Sequence, residues 1–334
     1  MKRILILLVL AFAVLQIATA QVDRPPIIDI HVHTMKVNPN WASPMCPWFL
    51  SDMPGADPTQ QPPSFMSLDC VDPLQPAKSD EEMQEEVVKR INDFNMTIVA
   101  YGDDEVLRNW AEAAPPGRVI PGIGIDTTRT VEEFRELLSD GFYKVVAEFA
   151  PQYQGMSPSD SVFAPYLAVA EELNIPVGIH MGTGGNGMAN ITQPNYRASL
   201  GNPFLLEDLL ARHPKLKIWV MHAGYPMIDE MIALMGANAY VYVDVAGLIW
   251  SYPKEEIHRY IKRLVQAGFG KRIIYGTDFM MWPRLFETSM GMIEHAQYLS
   301  EEQKRDIMFN NAMRFFRMEK SDFDWPESQT ASNE

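Results

Sequence analysis

Cysteine is scarce in this chain: Cys46 and Cys70 are the only two in 334 residues. A metal centre built on thiolates would need more. Positive charge is also short, with 28 basic against 43 acidic side chains and a net charge of −15. A surface this acidic repels the phosphates of nucleic acid and anionic membranes, so no nucleic-acid partner is expected. Histidine is rare as well, at seven residues, which makes its placement informative. No glycine-rich phosphate loop follows the first apolar run, which ends instead in His31-Val32-His33. That counts against a doubly wound nucleotide-binding sheet, the runner-up architecture. The sequence shows no internal repeat and no second domain.

Residues 1–20 read as a leader rather than as part of the fold. Lys2 and Arg3 precede an apolar run from Ile4 to Ala13, and Ala18-Thr19-Ala20 fits a small-x-small cleavage site. Gln16 interrupts the run, which is short for a bilayer span. The expectation is an exported protein, periplasmic or secreted, with no stable membrane insertion once the leader is cut before Gln21. Without Lys2 and Arg3 the balance is 26 basic against 43 acidic side chains, or −17. Export to an oxidising compartment favours a Cys46–Cys70 disulfide over two free thiols. Closing a loop of about 25 residues would contribute on the order of 3 kcal/mol in the chain-entropy view.

Short β-branched runs alternate with longer amphipathic stretches. Eight strands are predicted: Ile27–His31, Thr97–Tyr101, Val119–Ile125, Lys144–Phe149, Ile175–His180, Lys217–His222, Tyr240–Val245 and Arg272–Thr277. They carry almost no interior charge, as strands buried on both faces should. Ser79-Asp80-Glu81-Glu82 caps a helix running to about Phe94. Pro165–Leu173, Leu205–Arg212 and Ile257–Ala267 have helical apolar spacing, and an extra helix at about Glu301–Phe316 follows the eighth pair. Eight such units in one chain predict a (β/α)8 TIM barrel, spanning residues 21–318 as one domain. The polar tail from Glu319 is expected to be disordered.

Two loops are long, and both leave the C-terminal ends of their strands, the face that carries active sites in such barrels. Residues 34–77 hold nine prolines, Trp41, Trp48, Phe49 and both cysteines, the composition of a semi-rigid lid. Residues 181–202 hold Gly182, Gly184, Gly185 and Gly187.

Four of the seven histidines fall at predicted strand ends. His31 and His33 are two apart on strand one and so point to one side. His180 ends strand five and His222 ends strand six. His213, His258 and His295 lie in or after helices and read as surface or capping residues. Asp278 follows strand eight and Glu148 stands near the end of strand four. A carboxylate beside an apolar strand is costly to bury unless paired or bound to a metal. Lys144, four residues before Glu148, is taken to share its side toward the barrel bottom and is not read as a metal-bridging lysine.

These residues resemble the amidohydrolase superfamily. His31-Val32-His33, His180, His222 in Val-Met-His-Ala-Gly and Gly276-Thr277-Asp278 carry the likeness. Asn202-Pro203 through Leu210, Arg212-His213-Pro214 and Asn311 to Phe316 resemble its amidohydrolase-related branch. The resemblance implies one or two divalent ions with His31, His33, His180 and Asp278 as ligands; imidazole and carboxylate donors suit zinc first, and manganese and iron as well. Glu148 resembles the strand-four carboxylate of some branches, and His222 would hold a second ion or act on the substrate. It also makes a homodimer a reasonable expectation.

The reading is a metal-dependent hydrolase of a small-molecule amide, ester or lactone. Asp278 would take a proton from the attacking water, and His222 would stabilise the developing oxyanion. Arg197, Tyr153 and Trp282 are candidate substrate contacts, with Gln154, Trp41 and Trp48 as further lining. The same ligands could serve a non-oxidative decarboxylase of a small aromatic or unsaturated acid. A nuclease conflicts with the acidic surface, and a non-catalytic ligand-binding barrel conflicts with a full set of ligand positions.

Overall fold

The computed structural model describes residues 24–323, apart from Trp41, Asn186 and Thr192. The leader at 1–20, the candidate Trp41 and the end of the tail at 324–334 lie outside the described residues. Eight parallel strands pair in sequence order: β1 (Ile27–Thr34), β2 (Met96–Gly102), β3 (Val119–Ile123), β4 (Val145–Phe149), β5 (Val177–His180), β6 (Ile218–Met221), β7 (Val241–Asp244) and β8 (Ile273–Ile274). The segment after β8 returns to β1 and closes the barrel. Ile30 N–H donates to Tyr275 O at 3.2 Å and His33 N–H to Phe279 O at 2.8 Å. The expected (β/α)8 architecture is what forms.

A main helix follows each strand: α1 (Asp80–Asp93), α2 (Asp104–Ala113), α3 (Val131–Ser139), α4 (Ala164–Glu172), α5 (Glu207–Arg212), α6 (Ile228–Ala237), α7 (Lys254–Leu264) and α8 (Leu285–Glu294). The starts of the first three carry side-chain caps. Ser79 Oγ accepts the Glu82 N–H at 3.2 Å at the head of α1, as the sequence predicts, and Thr130 and Glu133 make a reciprocal cap on α3. Met83, Val87 and Ile91 form the buried stripe of α1.

The core has two layers. Ile28, Ile30, Val99, Tyr101, Val145, Ala147, Trp219, Met221 and Ile274 form an inner cluster. Phe309, Ala312 and Phe315 join it from the C-terminal helical segments Asp306–Asn310 and Asn311–Phe316. Gly178 makes room for the Trp219 indole, since a β-carbon there would stand 2.3 Å from Cζ2. The larger cluster lies between the strands and the helices. Part of the tail expected to be disordered is placed: Lys320–Asp322 form a turn, and Phe323 packs edge-on against Phe309 at 4.7 Å.

Strand eight is much shorter than the predicted Arg272–Thr277. Its later N–H groups have partners other than a neighbouring strand's backbone: Tyr275 N–H donates to Ile307 O at 2.9 Å and Thr277 N–H to Asp29 Oδ1 at 2.9 Å. Irregularities in two other strands matter more for function. The pairing of β1 with β2 slips between Asp29 and Val32, and that of β4 with β5 slips between Val146 and Phe149. A slip of one residue exchanges the faces of a strand. Ile28 and Ile30 join the inner cluster, Val32 joins the outer one, and His31 and His33 therefore both face inward. In β4, Val145 and Ala147 are inner residues, and Glu148 faces the same way after the slip. Lys144 precedes the slip, is exposed, and does not share Glu148's side as the alternation alone had suggested.

The long loop after β1 is pinned down. Cys46 and Cys70 form the expected disulfide, with Cα atoms 6.1 Å apart, beside an antiparallel bridge between Met45 and Leu74. Trp282 Nε1 donates to Ser43 O at 2.8 Å and Trp48 Nε1 to Ile249 O at 3.2 Å. Phe49 stacks on Phe65 at 4.6 Å, and the Arg284 guanidinium grips both carboxylate oxygens of Asp72 at 2.9 and 2.7 Å. The loop is thus seated on the segments that follow β7 and β8.

Candidate metal centre

The strand ends bring four imidazoles and two carboxylates together. His31, His33 and Asp278 form one compact triple; Glu148, His180 and His222 form another. In the first, Asp278 Oδ1 lies 3.4 Å from His31 Nε2 and 3.0 Å from His33 Nε2. In the second, Glu148 Oε1 contacts His180 Nδ1 and lies 3.8 Å from His222 Nε2. Glu148 joins the two, because its Oε2 is 3.4 Å from His33 Nε2. The ring centroids of His31 and His222 are 5.0 Å apart and those of His180 and His222 4.3 Å.

Two of these residues are held in left-handed backbone, His222 at φ 56° and Asp278 at φ 59°. Such conformations cost about 1–3 kcal/mol in non-glycine residues and need support. The support is visible: Asp278 N–H donates to His31 O at 2.8 Å, and His222 N–H to Asp244 Oδ1 at 2.8 Å. Gly247, at φ 70°, lets the chain pass close by. A β-carbon there would stand 2.7 Å from Asp278 Oδ2 and 3.2 Å from His222 Nδ1.

The charges are strongly coupled. Burial opposes ionisation of Asp278, but His31, His33 and His222 outweigh it and hold the carboxyl at about 2. Burial likewise opposes ionisation of Glu148, and the neighbouring imidazoles keep it well below the usual carboxylate range. Burial lowers His222, yet the neighbouring Glu148 carboxylate and the charges of Asp278 and Asp244 raise it to about 10. His180 is lowered, by burial first and then by His222. Asp29, sealed beneath the cluster, is pushed up to about 7 by burial despite its bonds to Thr277 and the His31 N–H.

A family of proteins described as amidohydrolases matches residues 28–318. The chain belongs to the amidohydrolase family. No curated protein matches the sequence. Among solved structures, an uncharacterized TIM-barrel protein of Bordetella bronchiseptica is similar at 17% identity and a TM-score of 0.63, covering 87% of this chain and 98% of that one. A probable 2-pyrone-4,6-dicarboxylic acid hydrolase of Acinetobacter baumannii follows at 14% identity and 0.56, covering 87% and 99%. The 5-carboxyvanillate decarboxylase of Sphingomonas paucimobilis is similar at 14% and 0.52, covering 89% and 100%. At these identities the likeness speaks for the barrel alone.

Amidohydrolases are metal-dependent enzymes, and the residues present suit a divalent ion. His31 Nε2 is fully buried without a hydrogen-bond partner among the described residues, an orphaned ring nitrogen facing Asp278. Imidazole and carboxylate together are a donor set suited to zinc or manganese. The structure brings together all six residues that the sequence marked as ligands, but it separates His180 from the His31–His33–Asp278 triple.

The substrate candidates divide. Tyr153 stands at the site, its hydroxyl 3.1 Å from His180 Nε2. Its burial, and then the charge of Glu148, raise its pKa far enough to keep the hydroxyl protonated. Trp282 is buried and serves the loop through Ser43. Arg197 is exposed, and its Nη1 donates to Pro194 O and Tyr196 O at 2.8 and 2.6 Å, which ties one arm of the guanidinium to its own loop. Gln154 is exposed. His213 ends α5 as a cap, and His258 donates to Met292 O, both away from the cluster.

Three residues of the site were not singled out from the sequence. Gln152 is fully buried and donates through Nε2 to His180 O at 2.8 Å. Tyr101 lies against His33, centroids 5.2 Å apart, with its hydroxyl buried and unpartnered among the described residues. Asp244 ends β7, and a carboxylate in Val-Tyr-Val-Asp-Val was the same signal that drew attention to Glu148.

Proposed function

We propose that this amidohydrolase hydrolyses an amide, ester or lactone bond of a small molecule with a divalent ion, zinc before manganese. The observation that carries the reading is the junction of His31 Nε2, His33 Nε2 and Asp278 Oδ1, buried at the strand ends and linked through Glu148 to His180 and His222. His31, His33 and Asp278 would hold the ion, with Glu148 in reach; His180 and His222 offer a second seat.

When bound, such an ion polarises a carbonyl and brings the pKa of a water from 15.7 down to roughly 7. The chain supplies the rest. Asp278, ionised at neutral pH, is the group that accepts the water's proton and returns it to the leaving group. His222 donates through Nδ1 to Ala246 O at 2.8 Å, a carbonyl that can only accept. That bond fixes the ring and turns Nε2 toward the cluster. With the second seat empty, a protonated His222 is suited to stabilise negative charge developing on the substrate oxygen.

The test is Asp278→Asn, assayed on a panel of lactones, esters and amides with aromatic acids alongside. Loss of at least about 100-fold in kcat, with the fold intact, supports the role of Asp278. Wild-type turnover in the variant contradicts it. Carbon dioxide release from an aromatic acid, with no hydrolysis of any panel member, moves the reading to decarboxylation.

A further inference from the structure

Asp244 is completely buried at the end of β7, and all its bonding is committed to the cluster's framework. Its Oδ2 is 3.0 Å from His31 Nδ1. Its Oδ1 accepts the His222 N–H at 2.8 Å and the Ala246 N–H at 3.1 Å. One carboxylate therefore touches β1, the end of β6 and the turn after β7.

The direction of these bonds has a chemical consequence. An ionised carboxylate only accepts hydrogen bonds, so the proton of a neutral His31 must sit on Nδ1. That leaves the lone pair on Nε2, the atom that is buried, has no hydrogen-bond partner among the described residues and faces Asp278. The second bond acts on the other side of the site. It holds the main chain of His222 in its left-handed conformation, and Ala246, whose N–H shares the same oxygen, accepts the His222 Nδ1–H. Asp244 with His31 and His222 is also compact enough to surround an ion. Three N–H groups already occupy its two oxygens, which speaks against that use.

We propose that Asp244 is the positioning residue of this metal centre: it sets the tautomer of His31, leaving Nε2 free to ligate, and fixes His222 in the same stroke. The proposal rests on the reading of the cluster as a metal site, but its first consequence is visible without any ion. Asp244→Asn sharpens it. If the amide oxygen keeps the two backbone N–H groups, the amide NH2 faces His31 Nδ1 and forces the proton to Nε2, where it blocks ligation. If the amide turns over, two buried N–H groups lose their charged acceptor.

The experiment uses 15N-histidine-labelled protein, freed of metal, at alkaline pH where His31 is neutral. Ring-nitrogen shifts assign the tautomer, with His31→Gln to identify the signal. Wild type is expected to show Nδ1 protonated and Nε2 bare; a proton on Nε2 overturns the proposal. In Asp244→Asn the proton moves to Nε2 or the ring loses its fixed tautomer, and zinc affinity falls by about 10- to 100-fold, the usual cost of losing such a partner. Wild-type affinity together with an unchanged tautomer in the variant also overturns it. Should the variant not fold, the wild-type spectrum still decides. Should wild type bind no metal, the functional reading fails, while the tautomer still tests Asp244.

Discussion

The main-chain N–H of Asp278 donates to the main-chain oxygen of His31 at 2.8 Å, and the side chains of the same two residues meet, Oδ1 to Nε2, at 3.4 Å. The seam that closes the barrel is therefore the seam of the candidate metal centre. Asp29 reinforces it from below, taking the Thr277 N–H at 2.9 Å and the Thr277 hydroxyl at 2.7 Å. Closure of the fold and placement of the ligands are one event, so disturbing either should disturb both.

Gly247→Ala tests this coupling from the side of the site. The new methyl would stand 2.7 Å from Asp278 Oδ2 at a residue with φ 70°. Strain of about 1–3 kcal/mol is expected, with Asp278 or His222 displaced. The prediction is a folded protein with a lower Tm and turnover reduced at least about tenfold, the kinetic equivalent of 1.36 kcal/mol. Unchanged kcat/KM would mean that Asp278 and His222 tolerate displacement and that their observed placement is not critical.

The long loop after β1 gives a second prediction. Its disulfide closes the segment between Cys46 and Cys70, while Trp48, Trp282 and Arg284 anchor it elsewhere. Cys46→Ser with Cys70→Ser should cost about 2–4 kcal/mol. Because the anchors are outside the barrel wall, the loss should appear first as protease cleavage within residues 51–69, with the barrel still folded. Equal protease resistance with and without the disulfide would show that the anchors suffice.

Metal binding should be coupled to protons. His222 is raised from 6.5 to about 10, against burial, by Glu148, Asp278 and Asp244, so it carries a proton at pH 7 before an ion arrives. An ion that ligates the imidazole must displace it, and affinity should rise with pH up to about 10. For the metal-free fold the sign is opposite. The contribution of His222 is complete below its unfolded value near 6.5 and is lost as pH rises through about 10. Titration calorimetry at pH 7 in buffers of different ionisation enthalpy should show proton release as zinc fills the His180–His222 seat. A heat independent of the buffer would place the ion away from His222.

Much of this was legible in the sequence. Eight strand segments, the His31–His33 pair, His180, His222, Glu148 and Asp278 follow from hydrophobic runs interrupted by ionisable residues at their ends. What was not legible is where a strand breaks its own alternation. The slips in β1 and β4 turn His31 and Glu148 inward and leave Lys144 outside, and nothing in the residue pattern announces them. Arg197 was attractive as a cation in a glycine-rich loop, yet two carbonyls of that loop hold its Nη1. Asp244 and Gln152 were missed for a related reason: their role lies in what they hold, and a partner such as His31, 213 positions away, is set by the fold.

The most direct test of the account is the metal content of the purified protein, measured by inductively coupled plasma mass spectrometry beside a His31→Ala/His33→Ala double variant. The account predicts about one or two equivalents of zinc or manganese per chain in the wild type, lost in the variant while the barrel remains folded. A wild-type protein that holds no stoichiometric metal even after reconstitution, or a double variant that keeps it, would contradict the metal centre on which the proposed chemistry depends.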